Sequence, residues 1–541
     1  MRTGPAPLRR GGGVHKPKAK AKARAQAALR PASRPATPRP GSGSKGAKPE
    51  IELQFQVPPA AWEPLAQAMQ GPDAHELDLQ AIYFDSPEGA LAAARVSLRL
   101  RREGDRWIQT AKSAGAGPME RREASEVAGL AVGPAPPALD PGRHDPATQA
   151  LLRKALGLDA SDDWPALAPV FQVEVRRRVR RLVEGDSVIE LALDEGMLRA
   201  AGRRREIREL ELELLEGRFE DLLRLARRWR ERHGLWIGSA SKAQRGWRLA
   251  RGELYGPAVG AKAIDYPADV RLRPLSAAVL QACLEQILAN AGEIGAGSQA
   301  DDHIHQLRVG LRRLRTALRE LPGLKEPAQA VEGALVHVFR QLGERRDRTH
   351  VLAQVQPRVE AAGGPALRVP PGFHEGGTPP DQLVQQGAFQ AALLRLLAEV
   401  ERLRAGPPGK RARKQLRPIL DKLAHQVTRD GRRFTRLSPE DQHRVRKRLK
   451  RLRYMTEFAA PLYAGQRVAG YLEVVKPAQE ALGQYNDEIM AHDLYAELAD
   501  TDAGARFGVD WLASRRKGEA RTCRQVLRQL DDTRPYWSRR G

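Results

Sequence analysis

Charged residues stand at every second position in several segments of this chain, and they are sorted by sign. Glu50, Glu52 and Gln54 alternate in Glu50-Ile-Glu52-Leu-Gln54, Arg99 and Arg101 in Ser97-Leu-Arg-Leu-Arg, Thr110 and Lys112 in Ile108-Gln-Thr-Ala-Lys, and Glu209, Glu211 and Glu213 in Glu-Leu-Glu-Leu-Glu. A period of two puts such side chains on one face of a β-strand. For any single strand, an antiparallel sheet with its polar face in water accounts for the pattern. It does not account for the sorting, because like carboxylates about 7 Å apart repel unless cations or a metal stand opposite. A sheet closed into a barrel aims acids and bases at one lumen. There, carboxylates hold a hard divalent ion such as Mg2+ through oxygen, and arginine and lysine hold phosphate oxygens.

A second set of charges has helical spacing. The run His305-Gln-Leu-Arg308-x-x-x-Arg312-Arg313-x-Arg315 returns as His443-Arg-Val-Arg446-x-x-x-Lys450-Arg451-x-Arg453. At about 100° per residue, His305, Arg308, Arg312, Arg315 and Arg319 fall within an arc of roughly 80° beside Leu307, Leu311, Leu314 and Leu318. In the second copy Val445, Leu449, Leu452 and Phe458 form the apolar side. Mixed signs three or four residues apart stabilise a helix and like signs destabilise it, so two one-sign stripes point to a bound polyanion. A lone histidine is usually a hydrogen-bonded structural residue; recurrence in both copies moves His305 and His443 toward the stripe. Leu342-Gly343-Glu-Arg-Arg-Asp347 follows the first run and Leu482-Gly483-Gln-Tyr-Asn-Asp487 follows the second at nearly the same distance. Residues 265–535 therefore read as two copies of one helical unit, 265–360 and 381–535, around a Pro- and Gly-rich loop at 361–380.

Two scaffolds must position these residues, and 541 residues suffice for both. Lysine and arginine total 91 against 66 acids, a net +25, which favours nucleic acid, polyphosphate or an anionic surface as partner. Residues 1–49 hold 13 lysines and arginines and no acid among Ala, Pro and Gly. Such a segment buries too little apolar surface to offset its ordering entropy, so disorder is expected. A solubilising tail, a nonspecific polyanion-binding arm that reaches nucleic acid, and a transit peptide all fit it. The two cysteines, Cys283 and Cys523, match no metal or disulfide spacing, which makes a reducing cytoplasm the expected compartment. No apolar run is long enough for a membrane span.

Residues 50–252 resemble the CYTH domains of the triphosphate tunnel metalloenzymes. The opening E-x-E-x-K appears as Glu50-Ile-Glu52-Leu-Gln54. Tyr83-Phe-Asp85-Ser-Pro, Ser97-Leu-Arg99-Leu-Arg101, Thr110-Ala-Lys112, Pro169-Val-Phe171, Ile189-Glu190-Leu-Ala-Leu-Asp194, Glu209 to Glu213 and Ser241-Lys242-Ala-Gln-Arg245-Gly follow in family order. The resemblance implies a closed antiparallel eight-stranded tunnel and hydrolysis of inorganic triphosphate with Mg2+ or Mn2+. It matches Glu50, Glu52, Glu211 and Glu213, with Glu209 and Asp194 beside them, to metal-associated acids. It matches Arg99, Arg101, Lys112, Arg177 and Lys242 to phosphate-holding bases, and Glu50, Glu52, Lys112, Glu211 and Glu213 to the catalytic set. Two departures stand out. Gln54 replaces the lysine, and Arg122-Glu-Ala124-Ser-Glu126 stands for the R-x-E-x-E strand.

Beyond a linker at 253–264, residues 265–535 resemble a CHAD domain through the signature H-x-x-R-V-x-x-R-R-L-R at His305–Arg315. This implies an all-α, duplicated helical bundle whose basic groove binds inorganic polyphosphate through His305, Arg308, Arg312, Arg313, Arg315, His443, Arg446, Lys450, Arg451 and Arg453. The expected molecule is α+β, a β-tunnel followed by helices. It is expected to be a cytoplasmic polyphosphate-binding protein, at polyphosphate granules, with a triphosphatase-like tunnel. The alternatives are a noncatalytic polyphosphate binder with a vestigial tunnel and a nucleic-acid-binding module. Against the last, aromatics are 5% of residues and none interleave the basic motifs as stacking platforms do.

Overall fold

The computed structural model describes residues 50–115, 119–133, 135–369 and 377–538, the side chains of 344–350 excepted. The basic tail, 1–49, lies outside the described residues. In chain order the first region contains β1 (Glu50–Gln56), α1 (Trp62–Ala68), β2 (His75–Asp85), α2 (Ala90–Ala93), β3 (Val96–Glu103), β4 (Arg106–Ala114), β5 (Glu120–Leu130), α3 (Pro146–Leu156), β6 (Ala168–Glu184), β7 (Ser187–Ala200), β8 (Arg203–Glu216), α4 (Phe219–His233), β9 (Trp236–Ile237) and α5 (Lys242–Ala250). Strands pair in the order β5-β4-β3-β2-β6-β7-β8-β1, all antiparallel, and β5 returns to β1 to close an eight-stranded barrel. β9 adds two residues beside β1.

Alternation sorts each strand into a lumen face and an outer face. Outward-facing Leu53, Phe55, Leu191, Leu210 and Leu212 are fully buried under α1 and α4, and each such side chain contributes about 1.5–3 kcal/mol. Leu98 and Ala111 lie beneath Leu91 of α2 and Leu152 of α3. One end of the lumen is apolar. There Tyr83 stacks on Phe171 at 4.4 Å and Trp247 of α5 meets Phe171 edge-on at 5.6 Å. A Cβ at Gly246 would approach the Phe171 ring to 2.2 Å, so a glycine is needed for α5 to lie this close.

The second region holds α6 (Leu272–Gly295), α7 (Asp301–Glu320), α8 (Lys325–Ala361), α9 (Pro380–Gln385), α10 (Gly387–Ala405), α11 (Ala412–Gly431), α12 (Pro439–Ala459), α13 (Gly465–Leu498) and α14 (Ala503–Asp532). The two basic runs are α7 and α12, which pack together. One apolar core runs from Leu210 and Leu212 of the barrel through Leu222 and Leu225 of α4 to Leu284 of α6 and Leu397 of α10. The segment expected to be a linker is strapped down. The Asn290 side chain accepts from Val259 N at 3.1 Å and donates to Val259 O at 2.9 Å, and Glu293 takes both Arg248 of α5 and the Gly256 amide. No helix among the described residues is long and apolar enough to cross a membrane.

Candidate functional site

Two groups of carboxylates face the lumen, and their electrostatics differ. The first is Asp194, Glu209 and Glu211, whose oxygens lie within 4.8 Å of one another. The Ser241 side chain caps α5, accepting from Gln244 N at 3.2 Å while the Ser241 amide donates to Gln244 Oε1 at 2.9 Å. This starts the helix where Lys242 and Arg245 enter the lumen. Lys242 Nζ lies 2.7 Å from both Asp194 and Glu211 and touches Glu209; Arg245 also contacts Glu209. Arg177 forks onto Asp194 with two bonds of 2.7 Å and reaches Glu211 at 2.6 Å. Burial alone would raise Glu211, but Lys242 and Arg177 hold it below the usual carboxylate range. Arg245 and Lys242 do the same for buried Glu209. Three cations meet three acids, so this group is neutral in itself.

The second group is Glu50, Glu52 and Glu213. Burial pushes Glu50 up to about 8 against the pull of Lys112, and Glu123, Glu52 and Glu213 add repulsion. Burial followed by Glu211 raises Glu52, and burial followed by Glu190 raises Glu213. Lys112 lies 3.2 Å from Glu50 and also touches Glu123; Arg121 lies 3.4 Å from Glu52. No ion pair to Glu213 forms among the described residues. Carboxylates are in excess here, and their oxygens are the donor set a hard divalent cation prefers. The residues fit such an ion better than the neutral trio does, although the trio is the more tightly clustered.

Arg99 and Arg101 also face the lumen. Arg99 donates to Tyr83 Oη at 3.0 Å and Arg101 touches Glu103. The Nε of each is buried and makes no hydrogen bond among the described residues, a state that an anion's oxygens would relieve. Burial, then Arg99, lowers the proton affinity of Arg101.

The register corrects one sequence expectation. Glu50 pairs with Arg121, Lys112 with Glu123 and Thr110 with Ser125, so the lumen strand reads Arg121-x-Glu123-x-Ser125. Arg122 and Glu126 are exposed. The adjacent arginines made two readings possible, and a shift of one residue swaps every side chain between faces. Glu123 is held at about 2, its burial overcome by Lys112 and Arg99. Arg121, Glu123, Glu190 and Arg245 were not foreseen as lumen residues, although the alternation in Arg121-Arg-Glu123 carried the signal.

In the helical region, α7, α8 and α12 converge. Arg308, Arg312 and Arg315 all lie over the ring of Phe339, at 5.1, 5.9 and 5.9 Å, within cation–π range. Burial, then Arg446 and Arg312, bring Lys450 down to about 6, with Arg308 adding and Asp487 opposing. Lys447 is lowered by burial, then Arg315, Arg340 and Arg446. His305 is half-buried on the same helix as Arg308. His443 Nδ1 lies 3.0 Å from Asn486 Oδ1, and Arg446 lies 3.9 Å from Asp487. The second Leu-Gly echo therefore supplies partners for the second basic run. Its first-copy counterpart, Asp347, lies outside the described side chains.

Three expected members are engaged mainly by carboxylates, Arg451 while still acting on Lys447. Arg313 is 4% exposed, contacts Glu457 and packs on Tyr454 and Phe458; one residue from Arg312, it points about 100° away, into the helix contact. Arg451 of α12 pairs with Glu320 of α7 at 2.8 Å, and Arg453 pairs one turn along α12 itself with Glu457 at 3.0 Å, so both are engaged by carboxylates. Arg315 additionally meets Glu332 at 2.5 Å. Arg340 and Lys447 joined the patch unforeseen.

Residues 48–247 match the CYTH domain family and residues 278–496 match the CHAD domain family. The inorganic triphosphatase of Haemophilus influenzae is 29% identical over 207 residues, a match covering 37% of this chain and 54% of the relative, so the chain spans about half of that relative's length. An uncharacterized protein of Mycobacterium tuberculosis is 28% identical over 541 aligned residues, 89% of this chain and 96% of that one. The crystal structure of a CHAD domain from the plant Ricinus communis aligns with 26% identity over 50% of this chain and 96% of its own, with a TM-score of 0.39. With its barrel and its helices in the order of these two matches, the chain is a CYTH domain followed by a CHAD domain.

Proposed function

We propose that the tunnel hydrolyses inorganic triphosphate with Mg2+ or Mn2+ and that the α7–α8–α12 patch binds inorganic polyphosphate in the cytoplasm, at polyphosphate granules. The observation that supports this best is the lumen: excess carboxylates at Glu50, Glu52 and Glu213 share it with Arg99 and Arg101, whose Nε groups lack partners. Glu50, Glu52 and Glu213 would hold the divalent ion, which supplies polarisation of a phosphoryl oxygen. Arg99 and Arg101 bind the phosphate chain, and Lys112, Arg177 and Lys242 balance its charge as it develops in the transfer step. A lumen carboxylate orients the attacking water. The name of the Haemophilus influenzae relative, inorganic triphosphatase, agrees with this substrate.

A noncatalytic tunnel is the second reading. Arg177 and Lys242 are already engaged by Asp194, Glu209 and Glu211, and Gln54 stands where the resemblance has lysine. Phosphate release from inorganic triphosphate by the full chain, with Mg2+, with Mn2+ and in chelator, separates the two. Metal-dependent release is expected; none under any condition leaves the polyphosphate-binding reading alone.

A further inference from the structure

The barrel closes at its shortest pairing. Among the described residues, β1 and β5 meet only at Glu50↔Arg121 and Ile51↔Glu120, with the Glu52 amide donating to Met119 O at 3.0 Å. On the lumen side of this seam stand Glu50 and Glu52. Its outer side is covered by the helical domain, around a cavity of about 50 Å³ lined by Ile51, Met119, Phe219, Leu284, Leu397 and Val400. A void this small in an apolar wall leaves the seam incompletely packed.

At the rim of that cavity stands Arg404 of α10. Its guanidinium lies 3.6 Å from Glu120 of β5 and 2.6 Å from Glu401 of its own helix, and it also donates to Gln281 of α6. Glu401 is raised by burial against the pull of Arg404, with repulsion from Glu120 and Glu220. Acids of both domains thus crowd one guanidinium across the seam.

We propose that Arg404 of the helical domain is a positioning residue for the tunnel: by holding Glu120 against Glu401 it keeps β5 on β1 and so keeps Glu50 and Glu52 in place. This rests on the reading of Glu50 and Glu52 as cation ligands. The 3.6 Å contact to Glu120 is partly exposed and modest in energy, so removing the charge should loosen the seam only in part. Reversing the charge is different, because Arg404→Glu adds a fourth carboxylate beside Glu120, Glu401 and Glu220. The helical domain then becomes part of what sets the tunnel's affinity for its ion.

The test uses the full chain as wild type, Arg404→Gln, Arg404→Glu and the double variant Arg404→Glu with Glu120→Arg. Mn2+ binding is followed by electron paramagnetic resonance, and hydrogen exchange is read in peptides covering 50–56 and 119–123. Arg404→Glu is expected to weaken Mn2+ binding about tenfold and to speed seam exchange, Arg404→Gln to do so less, and the double variant to return within about twofold of wild type. Wild-type Mn2+ affinity and seam exchange in a folded Arg404→Glu chain overturns the proposal, as does failure of the double variant to rescue. If Arg404→Glu does not fold, Arg404→Gln and the double variant decide by the same readings. A wild-type chain that binds no Mn2+ refutes the tunnel reading instead, and seam exchange alone then decides whether Arg404 fastens β5 to β1.

Discussion

Gln54 donates its side-chain amide to Glu209 at 2.5 Å, in the position where the CYTH resemblance has lysine. Glu209 is already ion-paired with Lys242 and Arg245, so the amide adds a neutral bond to a carboxylate whose charge is compensated. An ammonium at 54 would compete for Glu209 and release Lys242 toward substrate. Gln54→Lys is therefore expected to raise kcat/KM for inorganic triphosphate about tenfold, the worth of one charge-assisted phosphate contact at the low end. Steady-state phosphate release checks this, and an unchanged or lower value would mark Gln54 as adapted to Glu209.

The two carboxylate groups are expected to respond oppositely to neutralisation. Glu211 compensates Lys242 and Arg177, and removing one partner of a buried pair costs about 3–5 kcal/mol. Glu50→Gln instead relieves repulsion from Glu52, Glu123 and Glu213. In chelator, Glu211→Gln should unfold at clearly lower temperature than wild type and Glu50→Gln at an equal or higher one, while both lose metal-dependent turnover at least about a hundredfold. Calorimetry beside the phosphate assay reads both effects; equal destabilisation would contradict the division of the lumen.

Lys450 makes the helical patch sensitive to pH. Its folded value, about 6 against an ordinary 10.5, is lowered by burial and then by Arg446 and Arg312. Between these values the unfolded chain holds a proton that the folded chain lacks. Stability from this group therefore rises as pH goes from about 6 toward 10.5, by up to about 1.4 kcal/mol per pH unit, and levels off below about 6, where both states hold the proton. Lys450→Met should flatten that slope in thermal unfolding. A polyanion restores the proton, so polyphosphate binding at pH 8 should take up protons, measurable by titration calorimetry in buffers of different ionisation enthalpy. Lys450→Met should abolish the uptake.

Arg308 and Arg446 both crowd Lys450, so reversing the two to glutamate should weaken polyphosphate binding far more than reversing two arginines of the 1–49 tail. The wild-type affinity should fall steeply with salt as counterions are released. Filter binding decides this, and equal losses from patch and tail would indicate a diffuse cationic surface. Arg313→Ala is the matched control. It leaves Glu457 without this partner inside the helix contact, so it should lower the unfolding temperature while the folded fraction binds polyphosphate normally.

What the chain determines by spacing alone is the facing of residues along one element. Period two set Glu209, Glu211 and Glu213 on one side of β8, and the helical period set Arg308, Arg312 and Arg315 on one side of α7, because backbone geometry fixes those angles before any packing. Contacts between elements needed the tertiary structure. Strand register chose Arg121 and Glu123 over Arg122 and Glu126, a choice period two leaves open by one residue. Helix packing turned Arg313 and Arg451 onto carboxylates of neighbouring helices and brought Arg340 and Lys447 to the patch, whereas the Arg453–Glu457 pair is an i,i+4 contact that spacing alone allows. The capped start of α5 placed Lys242 among Asp194, Glu209 and Glu211. Charge partners lie across the fold from one another, and Coulomb energy depends on distances that local sequence does not encode.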